Sequence, residues 1–143
     1  FSPDGKLIAY TSNETGIWEI YVIPFNPPSE DPLRPTAYSL KPGAGGKWQA
    51  STHGGGKAKW RGDGKELFFV AGDNKLTAVE ISVTNNGLEI GAASSLFQVD
   101  QPAGVDSFDA SPDGEWFVVT ASNIKGSSPI NLIVNWEAEL KKP

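Results

Sequence analysis

Phe1-Ser2-Pro3-Asp4-Gly5-Lys6-Leu7-Ile8-Ala9-Tyr10 has two gapless counterparts further along the chain. They are Trp60-Arg61-Gly62-Asp63-Gly64-Lys65-Glu66-Leu67-Phe68-Phe69 and Ala110-Ser111-Pro112-Asp113-Gly114-Glu115-Trp116-Phe117-Val118-Val119. The Asp-Gly pairs are separated by 63 − 4 = 59 and 113 − 63 = 50 residues, a period that suits one four-stranded unit with long loops. Proline presets φ at the second position of a turn, aspartate suits the third, and glycine accepts the left-handed backbone that closes a hairpin. Each copy is therefore a hairpin turn. The middle copy carries Gly62 where the others carry proline, which on sequence grounds loosens that turn.

After each turn comes a run that is apolar at consecutive positions: Leu7–Tyr10, Leu67–Val70 and Trp116–Val119. A strand with one wet face alternates apolar and polar residues, and these do not. Hairpins make the neighbours antiparallel, so other sheets, not crossover helices, must cover both faces. Radially stacked blades meet both conditions. Third strands are expected at Ile17–Ile23, Leu76–Ile81 and Ile130–Val134, and outer strands at Lys47–Ser51 and Ser95–Val99. The expected fold is all-β: a β-propeller fragment of about three four-stranded antiparallel blades, forming an open arc with incomplete edge blades. The blades fall at about 1-53, 54-104 and 105-136. A proline-rich excursion is expected from Pro24 to Gly46, smaller loops over Thr84 to Ala93 and Asp100 to Asp106, and a short helical tail from Trp136. Such an arc has unpaired edges, so its expected partners include missing blades or a second copy that closes the ring.

Composition supports this reading. Of 143 residues, 16 + 11 = 27 are Gly or Pro, too many turn formers for a helical bundle. Cysteine is absent, which excludes disulfides, thiolate metal sites and cysteine nucleophiles. No apolar run approaches the roughly 20 residues of a membrane span. The opening residues lack a signal-peptide pattern and read as the middle of a longer protein. The net charge of 12 − 17 = −5 disfavours nucleic acid as a partner.

The repeat, with Glu19-Ile20-Tyr21-Val22 behind its first copy, resembles the TolB-like β-propeller repeat. Ser12–Gly16, Gly46–Thr52, Gly54-Gly55-Gly56 and the ending Ile133–Lys141 are similar to the C-terminal propeller of bacterial membrane-anchored serine/threonine protein kinases. The resemblance implies a non-catalytic sensor or interaction domain, periplasmic or otherwise extracytoplasmic, that recognises a protein or small ligand. The chain has no kinase catalytic loop and no nucleotide loop, so any kinase chemistry would lie upstream of Phe1. Two other readings are a gating propeller of a prolyl-oligopeptidase-like α/β-hydrolase and a carbohydrate-binding module.

Candidate chemistry is sparse, and no cofactor, metal or catalytic set is expected. His53-Gly54-Gly55-Gly56 looks like an esterase oxyanion loop, but no Gly-x-Ser-x-Gly elbow accompanies it, so His53 reads as a connector. Gly43–Lys47 and Gly54–Lys57 lack the Ser or Thr that follows the lysine of a phosphate loop. Asp4, Asp63 and Asp113 are explained by their turns, and radial blades would hold them apart. Trp18, Trp48, Trp60 and Trp116 fall in expected strands, where packing between blades accounts for them. One region departs from the acidic average. From Lys41 to Lys65 there are six basic residues against Asp63 alone, so this stretch is +5 and the remainder −10. Lys57, Lys59 and Arg61 alternate with Ala58 and Trp60 on an expected innermost strand, and Asp109 is the counterpart of Lys59 in the next unit. Lys57, Lys59, Arg61 and Asp109 are the candidate channel-face interaction surface. A solvated strand face, balanced by acids on neighbouring blades, is the plainer account of the same residues.

Overall fold

The structure, a computed structural model, describes residues 1–25, 46–84, 87–99 and 105–120, together with the backbone of strand 130–134. Most of the proline-rich stretch, part of the loop at 100–106 and the tail expected to be helical lie outside the described residues. Eleven strands are described: β1 (Leu7–Ser12), β2 (Glu19–Pro24), β3 (Trp48–Gln49), β4 (Gly55–Trp60), β5 (Glu66–Ala71), β6 (Lys75–Thr84), β7 (Gly87–Ile90), β8 (Ser94–Gln98), β9 (Ser107–Ala110), β10 (Trp116–Thr120) and β11 (Ile130–Val134). They form three antiparallel sheets, ordered β1-β2-β3, β4-β5-β6-β7 with β8 also on β6, and β11-β10-β9. No helix among the described residues is long and apolar enough to cross a membrane.

The three turns close as their chemistry requires. Gly5, Gly64 and Gly114 adopt φ of 72°, 72° and 79°, and their amides donate to the carbonyls of Ser2, Arg61 and Ser111 at 2.9 Å each. In the first copy the Leu7 amide donates to Ser2 Oγ at 2.9 Å and the Ser2 hydroxyl donates to Asp4 Oδ1 at 2.7 Å. The third copy repeats this through Ser111 and Asp113. The middle copy replaces the serine with Arg61, which grips Asp63 through Nε at 2.8 Å and Nη2 at 2.7 Å and reaches Glu66 through Nη1 at 2.6 Å. This guanidinium is the main reason the Asp63 carboxyl titrates well below the usual carboxylate range, with the Lys65 amide second.

The doubly apolar strand β5 is the clearest consequence of the sequence. Leu67 and Phe69 enter a cluster with Leu7, Ile20 and Val22 of the first sheet. Phe68 and Val70 enter another with Phe108, Phe117 and Val119 of the third. Alternate side chains of one strand thus build two cores, and the middle sheet is packed on both faces. Edge-to-face contacts of Phe117 with Phe68 at 5.0 Å and with Phe97 at 5.7 Å consolidate the second core.

Several expectations are corrected. The Thr84–Ala93 segment is not simply a loop, since β6 runs to Thr84 and β7 pairs with its second half, Ile81 opposite Ile90 and Thr84 opposite Gly87. The outer position beside β6 is shared, with β8 along Lys75–Ala78 and β7 along Ile81–Thr84, so the middle sheet has five strands. Trp18 precedes β2 and is 59 % exposed, and Trp116 is 43 % exposed, so neither is core. Gly62 does not loosen its turn. Its amide donates to the Pro112 carbonyl at 2.9 Å, and a Cβ at Gly62 would lie 2.7 Å from that oxygen. The Asp-Gly turns are not held apart either, because a Cβ on Gly64 would stand 3.5 Å from Pro3 Cδ and one on Gly114 would stand 2.9 Å from Arg61 Cδ.

Candidate functional site

Strand β4 carries the basic wall. Gly56 stands opposite Val70 and Lys59 opposite Phe68, so two residues, Lys57 and Ala58, face the single Phe69 in a β-bulge. Lys57 takes the left-handed backbone there, φ 58°, and the regular alternation expected from Lys57 to Arg61 is interrupted at its first member. Lys57 and Lys59 remain exposed while Ala58 and Trp60 pack against the core between the first two sheets.

Each basic residue has a different engagement. The Lys57 ammonium donates to the Val105 carbonyl, in the segment leading to β9. Lys59 meets Asp109 of β9 at 3.6 Å, with the two side chains 47 % and 76 % exposed. Arg61 is consumed by Asp63 and Glu66, and those pairs hold its own pKa above the ordinary guanidinium value, Asp63 first. The four candidate residues are therefore not one open patch. Lys57, Lys59 and Asp109 lie along the seam between β4 and the third unit, and Arg61 belongs to its turn. At this degree of exposure the Lys59–Asp109 pair contributes little to stability and exchanges readily with another carboxylate.

Two further features went unread in the sequence. Glu19, 2 % exposed, accepts from the Ser51 hydroxyl and from the Gly54 amide at 3.1 Å, while Ser51 Oγ accepts from the Ile20 amide at 2.8 Å. This buried carboxylate fixes the link between the first and second sheets. Its partners are 32 and 35 residues away, and the only local signal is an acid opening an otherwise apolar strand. The second feature is a cleft of about 440 Å³ lined by Thr52, His53, Phe69, Asp73, Thr77 and Ser95, among others. His53 sits there with φ 67°, as the link passes the Gly72 turn. Asp73 does not serve the imidazole: it receives the Lys75 ammonium at 2.6 Å and the Lys75 amide at 3.3 Å. Among the described residues no group of three or more His, Asp or Glu side chains is arranged to hold a metal ion.

An arc of antiparallel sheets stacked face to face, with equivalent turns gathered at one end, is a partial β-propeller. The solved structures give the particular likeness. The crystal structure of TolB from Acinetobacter baumannii superposes on 94 % of this chain with a TM-score of 0.58 at 17 % sequence identity. The chain spans 29 % of that protein, under a third of its length. No family model matches the sequence, and no curated protein matches it.

Proposed function

We propose that the chain is a non-catalytic recognition module whose ligand is a carboxylate-bearing protein segment, received along β4 at Lys57 and Lys59. The observation that carries this reading is the loose Lys59–Asp109 pair. An exposed cation held at 3.6 Å by an exposed acid is available to an incoming carboxylate, and Lys57 stands two residues away on the same strand. Asp109 tunes the site by competition, while Arg61, held by Asp63 and Glu66, stays with its turn. Titration with a glutamate-rich peptide, followed by the backbone amide resonances of β4 and β9, tests the proposal. Perturbation should centre on those strands, weaken steeply between 50 and 300 mM salt on the order expected for screened exposed charges, and disappear in a Lys57→Ala/Lys59→Ala variant. Binding that the double variant leaves unchanged would overturn it.

We read each sheet as one blade, at about 1-53, 54-104 and 105-136, and place the module in the sensor part of a larger bacterial receptor-kinase-like protein outside the cytoplasmic membrane. The support for that context is the likeness of Gly46–Thr52 and Ile133–Lys141 to kinase-associated propellers. The reading frame upstream of Phe1 tests it: a kinase domain followed by one membrane span agrees, and a hydrolase domain joined to the propeller favours the gating alternative instead.

A further inference from the structure

The cleft beneath the link between the first and second sheets belongs to the middle sheet, which has a sheet of this chain on either side. Its wall is a row across three strands, with Phe69 of β5 opposite Thr77 of β6 and Thr77 opposite Ser95 of β8. A β-bulge between Leu76 and Thr77 sets Ser95, rather than Leu96, opposite Thr77, so two hydroxyl-bearing residues become cross-strand neighbours. The rim is equally fixed. The Gly72 amide donates to the Gly54 carbonyl at 3.1 Å, and a Cβ on Gly72 would lie 2.5 Å from the His53 carbonyl oxygen. On its far side the same link is tied to buried Glu19 through Ser51 and the Gly54 amide. The cleft is thus built from packed strands and a pinned link, and needs little ordering to receive a ligand.

Its chemistry is polar without a surplus of charge. The side chains of Thr52, His53 and Ser95 have no hydrogen-bond partner among the described residues. Thr77, 5 % exposed, donates its hydroxyl to the Lys75 carbonyl at 3.4 Å, a long bond that leaves the oxygen able to accept. The lining's one carboxylate, Asp73, already receives the Lys75 ammonium at 2.6 Å. Among the described residues no lysine or arginine lines the cleft, so an anion finds no cation to pair with there. Phe69 and Ala71 supply an apolar floor.

We propose that this cleft is a binding site for a neutral saccharide, separate from the basic wall of β4. A pyranose ring has an apolar C–H face that suits the floor, and a rim of uncharged hydroxyls that donate and accept alike, as do the threonine and serine hydroxyls around it. The volume of about 440 Å³ falls within the roughly 300–1,000 Å³ of small-molecule sites. His53 and Thr52 bind from the link, and Thr77 and Ser95 bind from the wall.

Titration of the 143-residue chain with glucose, N-acetylglucosamine and maltose, followed by backbone amide resonances, tests the assignment. At least one sugar should give saturable shifts centred on Thr52–Gly54, Gly72–Asn74 and Ala93–Ser95. The affinity should stay constant over the salt range that weakens the acidic peptide, because the ligand is uncharged. Ser95→Trp fills the cleft from an exposed strand position and should abolish the shifts, with the amide spectrum of the third sheet unchanged. Thr77→Val keeps the side-chain shape and should weaken binding by about two- to tenfold, the loss of one hydrogen bond. No saturable shift with any of the three sugars would overturn the proposal, as would shifts that persist in Ser95→Trp or an affinity that Thr77→Val leaves unchanged. Saturation of the same amides by inorganic phosphate instead of the sugars would make this an anion site and overturn it too. Acidic-peptide binding at β4 is read from other amides, so either proposal can fail without the other.

Discussion

Replacing Gly62 with proline restores the Ser/Arg-Pro-Asp-Gly pattern of the other two turns, and sequence logic alone expects stabilisation. The usual gain from proline at a compatible turn position is about 0.4–1 kcal/mol, from a less flexible unfolded chain. The structure gives the opposite sign. Proline removes the amide that donates to the Pro112 carbonyl at 2.9 Å, a loss of about 0.5–1.5 kcal/mol for a hydrogen bond of ordinary strength. It also sets a Cβ 2.7 Å from that oxygen and 2.8 Å from Pro112 Cβ, an overpacking cost of about 1–3 kcal/mol. The balance is a destabilisation of about 2 kcal/mol, or roughly 7 °C in Tm for a chain of this length. Gly62→Ala keeps the amide and adds only the Cβ, so it should fall between wild type and proline. Urea denaturation followed by tryptophan fluorescence reads both. A Gly62→Pro chain as stable as wild type, or more stable, would refute the close approach of the second and third turns.

Three other outcomes follow from the same geometry. Ser51→Ala strands Glu19 Oε2 and the Ile20 amide in a buried site, and should cost about 3 kcal/mol in urea titration. Phe68→Ala empties the centre of the second core and should cost about 3–5 kcal/mol, with the larger loss of amide protection in β9 and β10 rather than in β1. Asp63 has a depressed folded pKa, so its stabilising contribution is complete above the unfolded value of about 4 and is lost as pH falls through the folded one. The urea midpoint of the wild-type chain should therefore fall below about pH 4, and Asp63→Asn should flatten that part of the curve.

How far the sequence could be read depended on whether the determining contacts were local. The turn at Asp4, Asp63 and Asp113 is written in four adjacent residues, and the strand behind each is apolar at consecutive positions, so β1, β5 and β10 were plain. The double-sided core of β5 followed from the same run. β7 was legible as well, since Asn86-Gly87 between Ile81–Thr84 and Leu88–Ile90 is a strong hairpin signal, but the neighbouring polar residues made the whole segment read as a loop. Gly62 was misread because its reason lies 50 residues away, in the Pro112 carbonyl. Trp116 read as core because residue type reports hydrophobicity and not which face has a neighbour. At the candidate site, the sequence placed the basic residues on one strand and matched Lys59 to Asp109. It did not show that Arg61 is held by Asp63 and Glu66, or that a bulge at Lys57 breaks the alternation.

Three turns from three repeats meet at one end of the stacked sheets, and proton–proton contacts in solution test that meeting most directly. Gly114 α protons should show nuclear Overhauser effects to the Phe68 ring, whose Cζ lies 3.0 Å from where a Gly114 Cβ would stand, and Gly64 should show them to Pro3 δ protons. Both cross-peaks, each linking residues of different repeats, are the predicted result. Their absence from a spectrum in which the same residues give their sequential contacts would contradict it.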